Sequence, residues 1–144
     1  MAGPTNEALD RALICDLLAR YSWALTDRDW ARWQGTFTPS ARVDYSTAGG
    51  PVGTPAEAAS VFEGMMKMFD VSISAGANVT IEFLDADTAR TRSMYTMTMR
   101  IPGADGAQPN YMQASGWYND TIVRTASGWL IADRFEQLVY AKPA

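Results

Sequence analysis

The hydrophobic period changes halfway along the chain, and this restricts the fold more than any single motif. From Asn6 to Leu25, the residues Leu9, Leu13, Leu17, Tyr21 and Ala24 recur at three- and four-residue steps, which predicts an amphipathic helix. The stretch "TDRDWARWQGTF" predicts a second, short helix capped by Thr26 or Asp27, with Trp30, Trp33 and Phe37 inward and Pro39 ending it. "ARVDYS" alternates and predicts a strand from Ala41 to Ser46. A Gly- and Pro-rich loop follows, and "PAEAASVFEGMMKMF" predicts a third helix with Pro55 in its first turn.

Beyond that point the period shortens to two. "NVTIEFLD", "TARTRSMYTMTMR", "YMQASGWYNDTIVR" and "GWLIADRFEQLVY" read as strands, separated by the turn sequences "LDADTA", "PGADGAQP" and "RTASG". Helices followed by consecutive strands predict an α+β class. A curled antiparallel sheet carries three helices from the N-terminal half over its concave face. With 144 residues the chain reads as one domain, 1–144.

Composition then narrows the chemistry. Histidine is absent, which excludes Ser-His-Asp and Cys-His nucleophile systems, histidine bases and histidine metal sites. No EF-hand spacing, GxGxxG or GxxxxGK[ST] occurs, so neither a metal nor an organic cofactor is expected. A net charge of −4 without a basic run disfavours nucleic acid and membrane surfaces. The chain lacks a secretory signal and a long apolar run, so a cytoplasmic location is expected. The single Cys15, on the first helix, is expected to be buried and inert.

Several side chains are candidates for a site. Asp27, placed beside Trp23 and Trp30, reads either as a helix cap or as a general base whose pKa burial would raise. Asp29 reads as a surface acid complementing the helix dipole, and Asp44 as solvated or paired with an arginine. Tyr45 shares a strand face with Val43, and Tyr21 lies on the apolar stripe of the first helix. On the strand "TARTRSMYTMTMR" one face carries Ser93, Tyr95, Met97 and Met99. Ser74 and Asn78 read as turn residues or pocket polar groups. Trp117, Tyr118 and Trp129 read as packing residues.

The order of these elements, with "RYSWALTDRDWARW", "ARVDY" after "FTPS", "NVTIEFLDADTARTR", "WYNDTIVR" and "GWLIADRFEQ", resembles the cone-shaped α+β barrel of the nuclear transport factor superfamily. It is most similar to the SnoaL-like and scytalone dehydratase-like branch. The resemblance covers about Ala8 to Tyr140. It implies an apolar cavity between sheet and helices, with two or three methionines among its lining, and a homodimer formed through the convex face. It also implies a working set of an acid, two tyrosines, two histidines and an asparagine. By local matching one tyrosine falls on Tyr45, and the acid on Asp27 or, without a deletion in the turn, on Thr26. The histidines fall on Ser74 and Met99, and the asparagine on Ala114. Related epoxide hydrolases use an aspartate, an arginine and a second aspartate on the neighbouring strand. Matching Asp133 to the first puts Arg92-Ser93-Met94 where the second belongs, so Asp133 is expected to pair with Arg92 or Arg134.

What this implies is a cofactor-independent acid–base enzyme acting on a hydrophobic cyclic molecule, such as a polyketide, steroid-like or terpenoid intermediate. The reaction would be isomerisation, dehydration or ring closure. Asp27, Tyr45 and Tyr21 are the expected catalytic groups, and Trp23, Ser74, Asn78, Tyr95, Met97, Met99 and Asp133 the expected substrate contacts. The alternatives are a pocket that acts by shape alone, as a binder or pericyclic cyclase, and a non-catalytic subunit related to the small subunits of ring-hydroxylating dioxygenases.

Overall fold

A computed structural model describes residues 6–143. The first helix, α1, spans Glu7–Asp27, and Asn6 caps it by accepting the Leu9 N–H. Helix α2 is the single turn Trp30–Gln34, capped by Asp29, whose carboxylate accepts the Arg32 N–H. The cap is therefore Asp29, neither Thr26 nor Asp27. Helix α3 spans Pro55–Met65 and begins with a reciprocal capping box between Thr54 and Glu57, with Pro55 in the first turn.

The strands are β1 (Phe37–Asp44), β2 (Val52–Gly53), β3 (Val71–Phe83), β4 (Thr88–Ile101), β5 (Asn110–Thr125) and β6 (Gly128–Pro143). They form one sheet in the order β2-β1-β6-β5-β4-β3. The long meander β3 to β6 is antiparallel, while β1 joins β6 in parallel. Pro39 does not end the preceding helix; it lies inside β1, at the register shift between Phe37 and Arg42. A proline is tolerated there because a bulge leaves no ladder bond for it to donate. Ser74 and Asn78 lie within β3 and not in a turn before it, Asn78 at a left-handed φ of 52° beside the shift between Ala77 and Thr80.

Two irregularities curl the β5–β6 pair. At the Ser115/Gly116 shift, a Cβ on Gly116 would sit 2.1 Å from the Gln137 carbonyl, so no other residue fits without moving the backbone. At the second shift Thr121 pairs with Asp133 but Ile122 pairs with Ile131, leaving Ala132 as an extra residue in β6. The inward face of β6 therefore changes phase: Trp129 and Ile131 point in before the bulge, Arg134 and Glu136 after it.

The core lies between this face and the helices. Ile14, Leu17, Tyr21, Trp33, Val43, Ile122 and Ile131 are its most deeply buried members. The face of α1 differs from the predicted stripe, because Leu9 and Leu13 are exposed while Asp10 and Ile14 point inward. Asp10 is drawn in by two hydrogen bonds from Arg124 and one from the Trp129 indole, which outweigh burial of Leu9. Cys15, one position beyond the buried stripe, is exposed and not buried as expected.

Candidate functional site

A cleft of about 490 Å³ opens between α1 and β3. Its walls are largely apolar, from Leu18, Ala19 and Trp23 on α1 and Ile73, Ala75 and Val79 on β3. Its inner end reaches Tyr21, Ser93, Tyr118 and Arg134.

Behind that end lies a buried polar cluster. Arg134, 1% exposed, donates from Nε and Nη2 to the two carboxylate oxygens of Asp120, both at 2.7 Å. Its guanidinium packs in the corner formed by two edge-on aromatic rings, with Cζ 4.0 Å from the Tyr21 centroid and 3.9 Å from that of Tyr118. Burial opposes the Arg134 charge, but the Asp120 carboxylate outweighs it and keeps the guanidinium protonated. Nη1 is buried without a partner.

Tyr21 and Tyr45 share a hydrogen bond of 2.8 Å between their hydroxyls. Burial pushes Tyr45 and Tyr118 well above the ordinary phenol range, so both stay protonated. Tyr95 stacks on Tyr118 with centroids 4.5 Å apart. Glu136 completes the cluster, with Arg134 and Tyr95 as its polar neighbours. Burial pushes its carboxyl up from 4.5 to about 7, against the opposing pull of Arg134 and Tyr95. A carboxyl poised near neutrality exchanges a proton readily at physiological pH.

The expected site residues divide accordingly. Tyr21, Tyr45 and Tyr95 meet in this cluster, and Ser74 and Trp23 line the cleft. Trp23 is 63% exposed at the rim. Asp27 is corrected: it does not point inward but lies on the solvent side of α1, 3.7 Å from Arg32. Helix α1 runs on to Asp27, which carries this residue roughly two-thirds of a turn round from Tyr21. Asp133 is likewise corrected. The extra Ala132 turns it to the outer face, and Arg134 pairs with Asp120 of β5 instead.

Asn78 is exposed, and its amide donates to the Met94 sulfur. Met97 and Met99 pack against the core and lie outside the cleft lining, which holds no methionine among the described residues. Met66 is buried in the core, while Met65, Met68, Met94 and Met112 are exposed. The Ser46 side chain, and after it the Ser46 N–H that Asp44 accepts, hold the Asp44 carboxyl below the usual range.

Thr26, not Asp27, meets Ser74: Thr26 Oγ1 accepts the Ser74 N–H at 2.9 Å and donates to its carbonyl at 3.4 Å. Two positions that the resemblance assigns to an acid and a histidine therefore hold hydroxyl residues, and the Thr26 hydroxyl bonds the Ser74 backbone. Sequence reasoning missed Arg134, Asp120, Glu136 and Tyr118 as site residues. The available signal was the close recurrence of charge in "WYNDTIVR" and "ADRFEQ", on strands otherwise apolar and aromatic.

Among the described residues no three His, Cys, Asp or Glu side chains gather to hold a metal, and no helix is long and apolar enough to cross a membrane.

Comparison with known proteins places these features. The uncharacterized protein Rv2910c of Mycobacterium tuberculosis is 30% identical over 136 residues, covering 94% of this chain and 90% of its own. The Kfla4162 protein of Kribbella flavida superposes with a TM-score of 0.83 at 20% identity, covering 95% of each chain. The hexachlorocyclohexane dehydrochlorinase LinA-type3 of Novosphingobium barchaimii superposes with a TM-score of 0.80 at 17% identity, covering 96% of this chain and 92% of its own. Residues 6–134 match the SnoaL-like domain, and the chain belongs to that family.

Proposed function

We propose that the protein is a cofactor-independent acid–base enzyme that isomerises, dehydrates or cyclises a hydrophobic cyclic small molecule bound in the cleft between α1 and β3. The observation that carries this reading is Glu136. It is a buried carboxyl poised at about 7, clustered with phenols behind the inner end of a largely apolar cleft, whose lining it does not join. Tyr21, which lines the cleft together with Tyr118, is the phenol placed toward the ligand's reacting oxygen, and Tyr45 is its hydrogen-bond partner. Tyr21 donates toward the substrate oxygen as charge develops there, and Glu136 takes up or returns the proton through the phenols around it. The dehydrochlorinase among the structural relatives supports an elimination-type reaction on such a frame.

The test is turnover of a panel of cyclic ketones and hydroxy-ketones in D₂O, followed by proton NMR. Glu136→Gln should lower kcat by about 10²–10⁴-fold, the usual share of a positioned acid–base group. Turnover unchanged by this substitution would end the reading.

A second reading is supported by the residue types at Thr26 and Ser74, since two hydroxyls cannot replace an acid and a histidine in abstracting a proton. In that reading the cleft acts by shape, and the rate on a confirmed substrate would be flat from about pH 5 to 9. We also propose a homodimer through the outer face of the sheet, where Met94 and Phe135 are exposed. Sedimentation as a monomer at micromolar concentration would refute it.

A further inference from the structure

The chain carries a net charge of −4, yet among the described residues no Asp or Glu lines the cleft, and the one charged lining residue is Arg134. The edge of the guanidinium bearing Nε and Nη2 is engaged by Asp120, and the Tyr21 and Tyr118 rings pack against it at right angles to one another as seen from Cζ. The plane is therefore fixed, and the remaining donor, Nη1, is buried without a partner. Ser74 Oγ is also buried without a partner, and Ser74 lines the same cleft. A buried donor left unmatched costs roughly 1–3 kcal/mol, so two of them along one cleft call for an acceptor from outside the chain.

We propose that the ligand of this cleft is an apolar carboxylic acid, whose carboxylate accepts a hydrogen bond from Arg134 Nη1 and one from the Ser74 hydroxyl. The inference deepens the reading above by naming the ligand's chemical class, and it rests on the cleft being the ligand site. A charged acceptor fits better than a neutral carbonyl for two reasons. A carboxylate adds charge–charge attraction to a bond that the guanidinium already strengthens for a neutral carbonyl. Asp120 occupies the far edge of the guanidinium, so an anion at Nη1 lies nearer to the cation than to that carboxylate. The body of the acid packs against Leu18, Trp23, Ile73 and Val79. A cleft of about 490 Å³ suits a one- or two-ring molecule.

The test compares cyclohexanecarboxylate and 1-naphthoate with their uncharged primary amides, by titration calorimetry on the intact protein. Each acid should bind at least about tenfold more tightly than its amide, which corresponds to about 1.4 kcal/mol. Ser74→Ala should weaken the acids several-fold and leave the amides alone. Arg134→Gln should abolish the preference. Because that variant strips Asp120 of its partner and can fail to fold, a second measurement uses the unaltered protein. The arginine side-chain N–H resonances of Arg134 should shift on adding acid and stay in place on adding amide. Equal affinity of acids and amides, or guanidinium resonances indifferent to the acid, would overturn the inference. Binding is read without turnover, so this failure is distinct from that of the acid–base reading, which the Glu136→Gln assay decides.

Discussion

Arg134 and Asp120, from adjacent antiparallel strands, form a two-pronged ion pair with both bonds at 2.7 Å and essentially no exposure of either side chain. A pair so deeply buried gains little over an apolar pair of similar shape, but losing one partner strands the other charge. Asp120→Ala should cost about 3–5 kcal/mol, read as the shift in the urea unfolding midpoint at constant slope. A loss below about 1 kcal/mol would mean that solvent reaches the guanidinium.

Glu136 should leave a mark on stability against pH. Its folded pKa of about 7 stands above the 4.5 of an unburied glutamate, so the folded state holds the proton more tightly. Stability from this group is thus fully present below about pH 4.5 and falls as pH rises toward 7, by on the order of 3 kcal/mol. Asp133, whose carboxyl burial also raises, acts in the same direction. Asp10, Asp44 and Asp70, held below the ordinary range by hydrogen bonds, contribute stability that is lost only at lower pH. Between pH 5 and 8 the unfolding free energy should therefore decline, and Glu136→Gln should remove most of that decline.

Thr26 covers a free edge. Strand β3 ends the sheet order, and the Ser74 N–H is received by Thr26 Oγ1. Replacing Thr26 with Val keeps the shape and deletes the acceptor. It should destabilise the fold by about 1 kcal/mol and speed hydrogen exchange at the Ser74 amide. An unchanged exchange rate would place that amide's protection elsewhere.

Asp10 joins three distant parts of the chain. It accepts two hydrogen bonds from Arg124, which also reaches Asp87, and one from the Trp129 indole. Asp10→Ala should cost about 2 kcal/mol, since it strands a buried indole N–H and a half-buried guanidinium. Its loss should leave binding in the cleft unaltered, which calorimetry with a bound acid would check.

The helices, four of the strands and the order in which they come follow from the chain itself. Hydrophobic period, capping residues and turn dipeptides are local properties, and at α3 and β4 they agree with one another. The faces of β4 were legible too, because strict alternation sends Ser93, Tyr95 and Met99 inward together. Tyr21 and Tyr45 could be chosen as inward phenols, but not as hydrogen-bonded partners. Their contact joins α1 to the end of β1, and no local pattern encodes it.

Tertiary structure decided which charges face the site. Alternation continued from Trp129 and Ile131 sends Asp133 inward. One extra residue, Ala132, turns it outward and sends Arg134 and Glu136 in its place. Whether a strand bulges there depends on its partner's register, which is a property of two strands and cannot be read from one. Asp27 turned outward for a comparable reason: where α1 stops was settled by the left-handed turn at Arg28 and not by the apolar stripe. The raised pKa of Glu136 followed from its burial, against the pull of Arg134 on the same strand and of Tyr95 on β4, an environment that no stretch of β6 encodes by itself.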